Sequence, residues 1–266
     1  MRRAFAFLIR DLYVELSYRV SFLMQLAQVF IAVFVFYFIS RLLGPAAAPG
    51  LAAYGGDYFA FVIIGVALSS YFGIGLASFA QSLREAQTTG TLEAMLMTPT
   101  RVSTIVLGSA LWSYAFTTLR VLLYLIAGAL LGVSFAHANL GLGVLILLIS
   151  IVTFSAIGIL AASFIMVLKR GDPVTGLVGV GATLIAGVYY PIEVLPRPLQ
   201  VLAQLVPVTY ALRALRLALL QGASWRQIAP DVMALVAFAV ILLPLSLYAF
   251  RLAVHRARVD GSLTHF

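Results

Sequence analysis

The chain has 266 residues, of which 63% are apolar, and a formal net charge of +8. Soluble domains contain about 45 to 50% apolar residues, so this composition excludes a water-soluble globular protein and favours a single membrane domain. The chain has no cysteine, which excludes a disulfide framework, a thiolate metal site and a cysteine nucleophile. Its arginines mostly flank apolar runs, which argues against nucleic-acid binding.

Residues 1–19 are predicted to form an amphipathic helix that lies on the cytoplasmic surface of the membrane. Apolar side chains recur there at helical spacing, while charged ones fall on the other side. Arg10 and Asp11 interrupt the apolar stretch after a few residues, so the segment does not fit a signal peptide. A plain solvated extension is the alternative interpretation.

Six apolar segments follow, and each is about long enough to cross ~30 Å of hydrocarbon. They lie near residues 20–43, 58–83, 102–132, 140–168, 173–190 and 230–251. This pattern predicts an all-α integral membrane protein in which residues 20–266 form one six-helix domain. The fifth segment is the shortest and begins after a Gly-Asp-Pro turn, since proline suits the first helical position. It barely spans the bilayer and is expected to pack deep inside the bundle.

Basic residues near the ends of the spans predict the orientation. With the N-terminus in the cytoplasm, eleven of the seventeen basic residues lie inside and five outside, and Arg120 lies within the third span. The positive-inside rule therefore places both termini in the cytoplasm.

The cytoplasmic connection between spans two and three reads REAQTTGTLEAMLMTP over residues 84–99. Gly90 suits a helix cap, Glu93 falls in the favourable first turn, and Pro99 ends the pattern. The apolar side chains that share one side are Leu92, Met95 and Leu96. Such a helix is too short to be stable alone in water, so we expect it to rest on a partner or under its own spans.

The external connection, residues 191–229, is predicted to be a helical hairpin that dips partway into the outer leaflet. Four prolines cut it into pieces too short to cross the membrane, and each piece has an apolar face. Its backbone must then be covered by protein rather than lipid. Arg213 and Arg216 lie three residues apart on one face, where they could contact lipid phosphates or an anionic cargo, or simply snorkel.

Several chemistries are absent from the sequence. None of the nine acidic residues lies at the centre of a predicted span, which disfavours ion-coupled transport. The three histidines form no catalytic or metal-binding set with other residues. The only lysine, Lys169, precedes Arg170 rather than the Ser or Thr of a phosphate loop, so the chain is not expected to hydrolyse ATP by that route.

Two features of the spans remain to be interpreted. Arg120 would cost roughly 3 kcal/mol or more if it faced lipid, so it is expected to line a polar path or to pair with backbone carbonyls. The fifth segment offers small residues at helical spacing, which favour close approach of another helix or of a second copy of the chain. These residues are Gly176, Gly179, Thr183 and Gly187.

The N-terminal segment, the six spans, GTLEAMLMTP and the outer segment PIEVLPRPLQVLAQLVPVTYALRALR together resemble the ABC-2 type permeases. The resemblance covers essentially the whole chain. It implies the membrane subunit of an ATP-binding-cassette exporter in the cell inner (plasma) membrane, dimeric with a second copy or a related permease. The resemblance also implies cytoplasmic ATPase subunits that bind ATP and magnesium, neither of which this chain would bind.

The resemblance also implies roles for particular residues. The ATPase-coupling candidates are Glu85, Gly90, Thr91, Leu92, Glu93 and Met95. The external gate is assigned to Pro191, Pro196 and Pro207. Family members place the export path at the dimer interface near spans one, two and five, which here selects Phe34, Tyr37, Tyr71 and Gly179, with Arg120 as a further candidate.

The implied activity is export of an amphiphilic or lipid-like substrate by alternating access, driven by the partner ATPase. An ATP-independent channel or a structural membrane scaffold is the alternative. Lipid-linked sugars, drugs and peptides are all carried by relatives of similar pattern, and no residue here selects among them.

Overall fold

The computed structural model describes residues 17–44, 49–88, 102–168 and 172–259. These residues form eight α-helices and two short 3-10 helices, Pro49–Tyr54 and Ile192–Val194, with no strand among them. The α-helices are α1 (Arg19–Leu43), α2 (Tyr58–Thr88), α3 (Val102–Leu130), α4 (Leu140–Leu168), α5 (Asp172–Ile185), α6 (Arg197–Gln204), α7 (Pro207–Leu220) and α8 (Trp225–Val259).

Five of these helices, α1, α2, α3, α4 and α8, are long and apolar enough to cross a membrane. At 1.5 Å per residue even the shortest, the 25-residue α1, reaches about 37 Å. They coincide with the first, second, third, fourth and sixth predicted segments. Five predicted spans are thus confirmed as helices of sufficient length.

The predicted fifth span, 173–190, is wrong in its extent. The helix α5 has 14 residues and is about 21 Å long, too short to cross the hydrocarbon layer. It ends because Gly187 adopts a φ of 82°, a left-handed conformation that stops a right-handed helix. The chain then turns towards the outer connection.

The outer connection contains α6 and α7, which meet at an angle of 87°. Pro207 occupies the first turn of α7, where its missing N–H is not needed. Ten of the 14 residues of α7 are buried, so its backbone is covered by protein, as a hairpin at membrane depth requires. If this bent pair counts as one broken span, the described residues contain six candidate membrane spans.

The helix α2 is the most deeply buried span and forms the centre of the bundle. A Cβ atom on Gly158 of α4 would lie 1.7 Å from the Gly75 carbonyl oxygen of α2, so the two backbones touch. Beside this contact, Phe72 and Phe154 meet edge to face, with ring centroids 5.3 Å apart. At this point α2 and α4 therefore pack backbone against backbone.

Two predicted surface helices fall mainly outside the described residues. Residues 1–16 of the N-terminal helix are among those not described, and α1 begins at Arg19. Residues 84–88 of the predicted coupling helix continue α2 without a break, whereas residues 89–101 lie outside the described part of the chain. Both helices, and the division of the chain at residue 20, stay predictions.

Candidate transport cleft and external hairpin

A cleft of about 430 Å³ lies between α2 and α5. Its lining is apolar except for the hydroxyls of one threonine and one tyrosine, and it consists of Phe72, Gly73, Leu76, Ala77, Gly176, Gly179, Val180, Thr183, Leu184 and Tyr189. The Thr183 hydroxyl donates to the Gly179 carbonyl oxygen at 2.7 Å and is satisfied within its own helix. The cleft therefore suits an apolar group rather than an ion.

Two glycines of α5 line this cleft and differ in their surroundings. A Cβ atom on Gly179 would lie 3.3 Å from a methyl carbon of Leu76, so α2 and α5 approach closely there. No atom of the described residues lies within 4 Å of the corresponding position on Gly176. The packing role predicted for the α5 glycines thus applies to Gly179, while Gly176 leaves open space.

The other predicted path residues do not line this cleft. Tyr71 is buried and donates its hydroxyl hydrogen bond to Thr118 Oγ1 of α3 at 2.8 Å. Phe34 is half exposed on α1. Tyr37 accepts a hydrogen bond from Arg41 Nη2 at 3.0 Å. Of the residues proposed from the sequence, the structure brings only Gly179 to the cleft.

Arg120 lies in α3, partly buried. Its guanidinium lies close to the Tyr124 hydroxyl one turn further along the helix, and the two interact by charge and by a hydrogen bond. Its Nε atom is buried, and no described residue accepts a hydrogen bond from it. The described contacts therefore contain no carbonyl acceptor for this nitrogen, and a role in a path stays a prediction.

Arg216 of α7 is the most deeply buried cation among the described residues, with 3% of its surface exposed. Nε donates to the carbonyl oxygen of Phe61 at 3.1 Å, Nη1 to that of Gly187 at 2.8 Å, and Nη2 to that of Val188 at 2.9 Å. The guanidinium also lies 3.4 Å from the centre of the Phe61 ring. One side chain thus joins α7 to α2 and to the segment after α5.

Gly65 provides the space for this arrangement. A Cβ atom there would lie 2.3 Å from the Val188 carbonyl oxygen and 2.6 Å from Arg216 Nη2. The Tyr54 ring lies 5.8 Å from the guanidinium, and burial raises the pKa of the Tyr54 hydroxyl despite the opposing effect of Arg216. The cation therefore meets a neutral tyrosine, and its positive charge is balanced by carbonyl dipoles and aromatic faces.

Arg213, one turn earlier, makes a different contact. Its Nε lies 2.9 Å from both carboxylate oxygens of Asp231, which is buried near the beginning of α8. Its guanidinium also lies 5.7 Å from the Tyr210 ring. This half-exposed arginine therefore ties α7 to α8 by an ion pair.

The interpretations offered for these arginines from the sequence are therefore wrong for Arg216, whose guanidinium is buried and donates to three backbone carbonyl oxygens. Sequence reasoning missed this role, as well as those of Gly65 and Asp231. The available signal was a pair of arginines in a short helix with an apolar face. Nothing in the sequence identifies backbone carbonyls as the acceptors of Arg216, or Asp231 as the partner of Arg213.

Each of the proposed gate prolines lies where a helix of the outer connection begins. Pro191 directly precedes the 3-10 helix Ile192–Val194, and Pro196 directly precedes α6. Pro207 is buried in the first turn of α7. These positions define where each helix begins, and the gating role itself stays a prediction.

The proposed coupling residues cannot be placed in the same way. Glu85 belongs to the last turn of α2, but its side chain is not described, and Gly90, Thr91, Leu92, Glu93 and Met95 lie outside the described residues. Within the described part of the chain, no three His, Cys, Asp or Glu side chains cluster as metal ligands would.

The long apolar helices and the protein-covered hairpin define a multi-pass helical membrane protein with an apolar cleft. Residues 45–248 match the family described as ABC-2 family transporter protein, so the chain belongs to this family. It is therefore a permease subunit of an ABC transporter, and the family implies association with an ABC ATPase. A search of curated proteins found no match to the chain.

Proposed function

We propose that the chain exports an amphiphilic or lipid-like substrate as a dimer, by alternating access powered by ATP hydrolysis in separate cytoplasmic subunits. The observation that carries the proposal is the apolar cleft between α2 and α5 in a chain of this family. Its volume of about 430 Å³ falls within the range typical of small-molecule sites, about 300–1,000 Å³. None of the described residues that line the cleft is charged, which favours an apolar chain or ring as the part of the cargo bound there.

Unpartnered apolar faces of α1 and α5 support a dimer. On α5, Leu177 is exposed, and so are Val180 and Leu184, which line the cleft. On α1, Phe34 and Phe38 are exposed. A second copy of this chain, or a related permease, would convert the open cleft into a path between two subunits, and lipids would cover the remaining surface.

The continuity of α2 supports the coupling assignment. This helix runs unbroken from Tyr58 to Thr88 and lines the cleft along the way. Movement delivered to residues 84–99 by an ATPase would therefore reach the cleft through one rigid rod. In this scheme the receiving residues are Glu85, Gly90, Thr91, Leu92, Glu93 and Met95. ATP and magnesium bind to the partner only.

The remaining assignments follow the same scheme. The outer hairpin, whose helices begin at or next to Pro191, Pro196 and Pro207, closes the exit side. The path candidates remain Phe34, Tyr37, Tyr71, Arg120 and Gly179. Both termini face the cytoplasm and the chain resides in the cell inner membrane, in contact with lipid and without nucleic acid. The chain itself catalyses no reaction.

The test is co-expression with candidate ABC ATPases followed by purification and reconstitution. We expect one ATPase to copurify stoichiometrically and its ATP turnover to rise in the complex. Glu93→Arg is expected to abolish this stimulation, because it reverses the charge at the proposed contact. Glu193→Arg is the matched control, since Glu193 is exposed in the outer connection.

Two results would contradict the proposal. Unchanged stimulation by the Glu93→Arg variant would reject the coupling segment. A lone oligomer that conducts ions in planar bilayers, with no copurifying ATPase, would favour a channel instead.

A further inference from the structure

Tyr189 lines the cleft between α2 and α5. It follows the end of α5, whereas Gly176 lies at the opposite end, near the beginning of that helix. With the predicted orientation, the Tyr189 end faces outward. The Tyr189 ring stacks on Phe36 of α1, with centroids 5.8 Å apart and planes 22° from parallel. Three helices therefore meet around this one ring.

No helix holds the backbone of Tyr189. It lies in the irregular segment between α5 and the 3-10 helix that begins at Ile192. The Val188 carbonyl belongs to the same planar peptide group as the Tyr189 nitrogen, and Arg216 Nη2 donates to that carbonyl at 2.9 Å. The arginine thus holds the peptide from which the Tyr189 side chain projects.

We propose that Tyr189 closes the outer end of the cleft and that Arg216 is the positioning residue that keeps it closed. The inference rests on the proposed export path, because it assigns a role to one end of that path. Opening would require the Tyr189 ring to leave Phe36, and the peptide before it to move relative to Arg216.

Arginine suits this task better than lysine does. Its planar guanidinium presents five N–H donors in a fixed fork, whereas lysine offers one compact ammonium. Here the fork reaches carbonyls from two separate segments, Phe61 of α2 and Gly187 with Val188 after α5. Lysine could keep the charge and one or two of these bonds, which predicts partial function for Arg216→Lys.

The chain contains no cysteine, so a single introduced thiol reports on one position. We choose Thr183→Cys, which lies in the cleft, and a membrane-impermeant maleimide added to intact cells. Labelling is expected to be slow with native Arg216 and roughly tenfold faster with Arg216→Gln, since charge-assisted hydrogen bonds are lost. Arg216→Lys should be intermediate. Arg226→Gln, at an exposed arginine of α8, should match the native rate.

Further variants separate closure from loss of the fold. Ser246→Cys places a thiol at a fully buried position of α8, so its labelling reports unfolding. Tyr189→Ala should accelerate Thr183→Cys labelling without changing that of Ser246→Cys, and Tyr189→Phe should behave as native because it keeps the ring. If Arg216→Gln unfolds the protein, Tyr189→Ala and Arg216→Lys decide the question.

Equal labelling of Thr183→Cys in native, Arg216→Gln and Tyr189→Ala proteins, with Ser246→Cys unlabelled, would overturn the inference. The assay needs neither an ATPase nor a cargo. Failure to find a coupled ATPase would therefore reject the proposed function while leaving the labelling result to stand on its own.

Discussion

Replacing Gly65 by alanine tests the hydrogen bonds that Arg216 makes with the chain after α5. The added Cβ would lie 2.3 Å from the Val188 carbonyl oxygen and 2.6 Å from Arg216 Nη2, both far inside van der Waals contact. The first of these atoms is backbone, so relief requires α2 and the segment after α5 to separate. The structure therefore predicts that Gly65→Ala breaks the bond between Arg216 and Val188.

The magnitude follows from three terms. Loss of a hydrogen bond to a charged group costs about 1.5–3 kcal/mol, and overpacking costs typically about 1–3 kcal/mol. The higher helix propensity of alanine returns about 1 kcal/mol. We expect a net destabilisation of roughly 1.5–5 kcal/mol.

The matched control is Gly73→Ala in the same helix, because no described atom lies within 4 Å of a Cβ position at Gly73. Thermal unfolding in one detergent should rank Gly65→Ala well below the native protein and Gly73→Ala at or slightly above it. Equal melting temperatures for the two variants would refute this account of Arg216.

Two further substitutions test other contacts of the bundle. Arg213→Gln should destabilise the protein more than Arg226→Gln does, because it leaves the buried Asp231 carboxylate without its partner. Adding Asp231→Asn to Arg213→Gln should recover much of the lost stability. The absence of any recovery would argue against the ion pair. Gly158→Ala should destabilise the protein more than Gly73→Ala does and lower the yield of folded protein, because its Cβ would lie 1.7 Å from the Gly75 carbonyl oxygen. A Gly158→Ala variant with the native yield and melting temperature would contradict the α2–α4 contact.

The spans could be predicted because membrane helices need about twenty consecutive apolar residues, a signal that each long segment carries by itself. The hairpin boundaries were also readable, since proline marks where a helix begins: α6 follows Pro196 and α7 begins at Pro207. The local sequence was sufficient to predict these features because apolar length and proline position determine them directly.

The end of α5 was not predictable in this way. The apolar pattern continues to residue 190, yet Gly187 adopts a positive φ and Arg216, 29 residues later, binds its carbonyl oxygen. Backbone carbonyls belong to every residue, so no sequence pattern identifies these acceptors. The cleft was missed for a similar reason, because it depends on how α2 and α5 lie side by side, and only Gly179 among the proposed path residues lines it.

ATP hydrolysis in the partner ATPase is proposed to drive alternating access of a path between two copies of the chain, which requires the α5 helices beside that path to move relative to each other. A single spin label on Leu177→Cys, an exposed position of α5 that is not among the residues lining the cleft of this cysteine-free chain, gives one distance per homodimer in the complex with its ATPase. The account predicts a defined distance distribution that shifts when ATP is bound and returns after hydrolysis. The absence of dipolar coupling, or an identical distribution with and without ATP, would contradict it.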